Sequence, residues 1–207
     1  PLSFSLYLDF LLAVGGARFT AAKAASSGAP VDCYGAFKAI ASRYLAGDGE
    51  AFERLIAASR DDAQRLRLYP PLIKGLTKWA EKHSPIAAGS PCVLWSPIEG
   101  VSVAVNPEIV ATIAGVPHVI KLHTRRGRLA RPRVELAVAI LRDAIPGAPG
   151  TVHGVLDVRA GKLHTVNSVA LLERSLAVAR AEAEAFMALR LAQHGGVVGP
   201  LVDRAVT

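Results

Sequence analysis

The chain has 207 residues, 51% of them apolar and 20% charged, a composition that excludes a disordered polyelectrolyte and allows a real hydrophobic core. Its formal net charge is +7 and its pI about 9.8, which favours anionic partners, with nucleic acid ahead of a membrane surface. Cys33 and Cys92 show no metal-ligand spacing, and only two thiols in a chain this long argue for a reducing, cytoplasmic setting with each thiol buried and inert.

The first predicted element is a helix over residues 2–25, weakened at Gly15-Gly16. Its apolar start, Phe4 to Val14, is interrupted by Asp9, lacks a basic leader and is too short to span a bilayer, so it reads as a helix packed on the body. No other stretch approaches a membrane span. Residues 26–30 read as a loop and residues 33–46 as a helix ended by Gly47-Asp48-Gly49. A further helix is expected over 50–68, broken at Tyr69-Pro70-Pro71 and resumed over 72–83.

The pattern changes at Ser84-Pro85. Cys92 to Trp95 reads as a short strand, and Val101, Val103 and Val105 alternate with small residues at the period of a strand. Ile109–Ile113 and Val116–His123 read as a hairpin turning at Ala114-Gly115. A basic loop, 125–130, leads to a helix over 131–145 that opens with Pro132 near its first position. Residues 152–158 and 162–166 read as two more strands. A long helix then runs from a cap at Asn167 or Ser168 to about His194, before Gly195-Gly196. Its apolar stripe offers a homodimer face. The expected architecture is α/β (α+β) in one domain: a helical part over 1–84, a small mixed sheet flanked by helices over 91–166, and a C-terminal helix over 167–195.

The stretch Asn106-Pro107-Glu108, strand, turn, strand ending Val119-Ile120-Lys121, helix, strand resembles the core of the PD-(D/E)xK, or restriction-endonuclease-like, nuclease superfamily. The likeness covers about a third of the chain and its motifs are short. It implies phosphodiester chemistry in which Mg²⁺ held by carboxylates activates a water and a lysine neutralises developing charge. Carried over, Glu108 stands at the first acid and Lys121 at the lysine, whereas Val119 occupies the second acid's position. Either that acid has migrated to the neighbouring helix, where Glu135 borders the apolar face (Glu99, Glu50 and Glu53 are weaker alternatives), or catalysis is lost and a binding scaffold remains. The resemblance thus implies Glu108, Lys121 and Glu135 as catalytic residues, with Glu108 and Glu135 holding the metal.

Between Lys121 and Arg133 six cations fall in thirteen residues. Arg125, Arg126, Arg128 and Arg131 are the candidate phosphate contacts to nucleic acid. No aromatic residue is interleaved, so a base-stacking platform is not indicated. His118 and His123 fall on opposite faces of their strand, while His153 and His164 could approach across a hairpin.

Overall fold

The computed structural model describes residues 1–26, 33–88 and 92–193. The loop expected after residue 26 and the end of the last helix lie partly outside them. Two mixed sheets carry the architecture. The smaller joins β1 (Leu2–Ser3), β4 (Val101–Val105) and β3 (Val93–Ile98) in the order β1-β4-β3. The larger has the order β2-β5-β6-β7-β8, from β2 (Ile86–Ala88), β5 (Ile109–Ile113), β6 (Val116–His123), β7 (Val152–Asp157) and β8 (Lys162–Thr165). The expected α+β class, with helices flanking mixed sheet and a long C-terminal helix, is what the chain adopts. The single sheet expected from the sequence is in fact two.

The larger sheet follows from its sequence. Alternating β-branched residues make β5 and β6, and the two residues between them, Ala114 and Gly115, both take positive φ (49° and 81°), the geometry that closes a two-residue hairpin. The chain then crosses through α6 (Arg131–Ala144) to lay β7 parallel to β6, and β8 returns antiparallel. Strand alternation sends side chains into two cores. Ile109, Ile120, Leu122, Leu156 and Val158 join a cluster with α3 (Gly35–Leu45), α4 (Ala51–Ala58) and α5 (Ala63–His83). Val119 and Val155 join the other, with α1 (Phe4–Leu12), α6, the smaller sheet and α7 (Val169–Gln193).

Three expectations are corrected. The first helix is a short strand, β1, followed by α1 and α2 (Gly16–Ser26). The predicted helix over 50–68 is broken at residues 59–62, not at the prolines. Asp62 caps the next helix, its carboxylate accepting the Arg65 N–H at 3.0 Å. α5 then runs unbroken through Pro70 and Pro71. Its buried Leu68, Tyr69, Leu72, Leu76 and Trp79 bracket the prolines, so packing on the sheet outweighs a proline penalty of about 3 kcal/mol each. Helix and sheet meet closely at Gly75, where a Cβ would strike the carbonyl oxygen of Val158 and lie 2.9 Å from its carbon.

The apolar stripe of α7 is covered by the chain's own body. Leu172, Ala179, Ala183 and Phe186 are buried in the core that α1 and α6 share, and the Tyr7 hydroxyl of α1 donates to the Ala179 carbonyl at 2.6 Å. Burial raises the Tyr7 pKa well above its ordinary value. Both cysteines are free thiols, but neither is fully buried, and Cys92 is exposed. Among the described residues no helix is long and apolar enough to cross a membrane.

Candidate functional site

The register of the β5–β6 hairpin pairs Ile109 with Ile120. One step further sets Glu108 opposite Lys121, on the same face of the sheet. Their side chains meet: Lys121 Nζ lies 2.6 Å from Glu108 Oε1, with both side chains only 6–7% exposed. The other carboxylate oxygen, Oε2, accepts the Leu122 backbone N–H at 2.8 Å. Glu108 thus bonds a β6 main-chain N–H just past the last β5–β6 pair, Ile109 with Ile120.

Lys121 is equally engaged. Its ammonium donates to the Asn106 carbonyl at 2.9 Å, approaches Asn106 Oδ1 at 3.4 Å, and sits 5.4 Å from the centre of the Phe4 ring. From α3, Lys38 Nζ reaches Glu108 Oε1 at 3.8 Å, and Ser42 Oγ donates to the Glu108 main-chain oxygen at 2.5 Å. A buried carboxylate with two cations and a backbone donor is a closed electrostatic unit.

The position of the second acid is filled otherwise. Val119, on the same face as Lys121, is 4% exposed and belongs to the apolar cluster with Val134, Ala137 and Val138 of α6. Glu135 does not join Glu108. It accepts from Arg131 Nε at 2.7 Å, one helical turn away, and lines an outer cleft with Asp157, Lys162 and His164. The cavity that Glu108 and Lys121 line, with Lys38, Ser42 and Asn106, contains no other acid among the described residues. Glu50 pairs with Arg54 on α4 and Glu99 is exposed. Among the described residues no group of three potential ligands of the His, Cys, Asp and Glu types is close enough to hold a metal. Magnesium prefers near-octahedral oxygen coordination, with one or two carboxylates from the protein and the rest from water or phosphate. Here one carboxylate is turned toward a lysine and a backbone N–H, so the residues present do not fit that ion.

The basic loop leaves the carboxyl end of β6. Arg125 and Arg133 both bind Asp9 of α1, at 2.9 and 2.7 Å, and Arg131 binds Glu135. Arg126 and Arg128 are exposed, and among the described residues neither pairs with an acid. His123 is half-buried. Its pKa is lowered first by burial and then by Arg133. His118 bonds the Val116 carbonyl at 2.8 Å, and His153 that of Ile145 at 2.7 Å. The β7–β8 register pairs His164 with Val155, so His153 and His164 are not opposite each other.

Sequence reasoning missed Asp9, Asn106, Lys38 and Phe4 as partners. Asp9 alone left a signal, as a lone acid inside an apolar helix. No protein-family model matches the chain, and none of the curated proteins matches it in sequence.

Proposed function

We propose that this chain is a nucleic-acid-binding module built on a nuclease-like core that works without metal catalysis. The observation that supports this best is the closed Glu108–Lys121 pair beside a buried Val119. The strand–strand–helix–strand order and the meeting of acid and lysine fit a core of the PD-(D/E)xK type. The carboxylates needed to hold Mg²⁺ do not converge, which favours loss of catalysis over migration of the acid to Glu135.

Binding would rest on the loop between β6 and α6. Arg126 and Arg128 stand in solvent, free to meet phosphates, and exposed Arg125 and Arg131 flank them. Each cation that neutralises a phosphate releases counterions, so affinity should fall steeply with salt. The test is fluorescence anisotropy with labelled single- and double-stranded oligonucleotides across a salt series. Neutralising Arg126 and Arg128 to Gln should weaken binding to all sequences alike and flatten the log–log salt slope by about 1 to 2. Binding indifferent to salt, or unchanged in that double variant, would remove the reading.

A further inference from the structure

A second feature lies on the inner side of the basic loop. A cavity of about 220 Å³ opens between the start of α1, the carboxyl end of β6 and the first turns of α6. Its walls carry Lys38, Lys121, Arg125 and Arg133 together with His123 and Ser5, and no Asp or Glu among the described residues lines it. Acids do stand behind the wall: Arg125 and Arg133 share the single carboxylate of Asp9, and Lys38 and Lys121 both approach Glu108. Four cations therefore line the cavity, while the two acids they bind, Asp9 and Glu108, are not among its lining residues.

The local field has a visible effect. Burial comes first and Arg133 second among the causes that depress the His123 pKa, and Arg125 acts in the same direction. Asp157 and Asp9 act the other way, more weakly than burial and Arg133. At its first turn α1 offers Ser5 and no acidic side chain, so the partial positive charge of the helix start is not offset there. The cavity also sits at the carboxyl end of β6, the strand that pairs in parallel with β7.

From these features we infer that the cavity between α1, β6 and α6 binds a compact anion of the phosphate-monoester class, held by Arg125 and Arg133 on one side and Lys38 on the other. A guanidinium carries five N–H donors, so Arg125 and Arg133 keep donors for such an oxyanion beyond those given to Asp9. The space falls below the roughly 300 Å³ at which drug-sized pockets begin, and it readily admits a phosphate group. The site shares Arg125 with the outer loop but does not use the solvent-facing Arg126 and Arg128, and it stands whether or not that outer surface binds nucleic acid.

The test is calorimetric titration of the full chain with inorganic phosphate at fixed ionic strength. One saturable site is expected. Arg133→Gln and Arg125→Gln should each weaken it about tenfold or more, while the Arg126→Gln, Arg128→Gln double variant leaves it unchanged. The Arg125 side chain is about half exposed, so its variant decides the matter if the loss of Arg133 impairs folding. No saturable phosphate binding, or binding that Arg125→Gln does not alter, overturns the proposal. Competition then identifies the source of the phosphate. An oligonucleotide with a 5′-phosphate that displaces inorganic phosphate, where its 5′-hydroxyl counterpart does not, identifies a strand end. Displacement by a mononucleotide alone identifies a free phosphate ester. An unphosphorylated oligonucleotide that still binds in the Arg125→Gln variant shows that the outer loop works independently of the cavity.

Discussion

Removing the amine of Lys121 leaves the carboxylate of Glu108 buried without its closest counter-charge. Breaking one side of a buried ion pair costs about 3–5 kcal/mol. Here the loss falls at the lower end, because Oε2 keeps the Leu122 N–H and Lys38 remains 3.8 Å from Oε1. Lys121→Met is therefore expected to cost about 3 kcal/mol. Glu108→Gln should cost less, about 2 kcal/mol, since the amide oxygen can still accept from Leu122 and the ammonium keeps Asn106. The double variant removes both charges together and should cost little more than Lys121→Met alone, a coupling of about 2 kcal/mol. Urea unfolding at pH 7 reads these values. With a slope of roughly 2 kcal/mol per molar, Lys121→Met should lower the midpoint by about 1.5 M. A drop below about 0.3 M, or strict additivity of the two single changes, would refute the closed pair.

Other outcomes follow from the packing. Gly75→Ala should gain nearly 1 kcal/mol in helix propensity yet destabilise the protein by about 2 kcal/mol or more, because the new methyl meets the Val158 backbone; a stabilised variant in thermal unfolding would contradict the close contact. Tyr7→Phe should cost about 1 kcal/mol through loss of the bond to Ala179, and an unchanged melting temperature would count against that bond. His153 is buried, so its pKa in the folded chain lies below the ordinary 6.5 of the unfolded one, burial being the main cause. The unfolded chain therefore binds the proton more readily, and the contribution of this site to stability is full above about pH 6.5 and falls as the pH drops below it. His153→Gln should flatten that decline in melting temperature, and an unaltered pH profile would exclude His153 as its source.

Much of the candidate site was legible because local rules set it. The Ala114-Gly115 turn sits between two β-branched runs, and a two-residue hairpin leaves a single register, which brings Glu108 to Lys121. The crossover to β7 followed from a helix between strands. What could not be read depended on contacts far along the chain. Pro70 and Pro71 signal a break by every local rule, yet the residues on either side share one buried face, and tertiary packing decided in favour of the helix. Glu135 borders the apolar face of α6, as expected, but the helix is rotated so that this acid meets Arg131 and the outer cleft. Periodicity gives the border of a stripe and not which flank faces the sheet end. Asp9 and Lys38 come from α1 and α3, whose approach to β6 no spacing encodes.

The measurement that bears most directly on the account is incubation of plasmid and single-stranded DNA with the full chain in Mg²⁺ or Mn²⁺, beside its Lys121→Ala variant. The buried Glu108–Lys121 pair and the apolar Val119 predict no cleavage above that of the variant. Cleavage by the native chain that Lys121→Ala abolishes would contradict it.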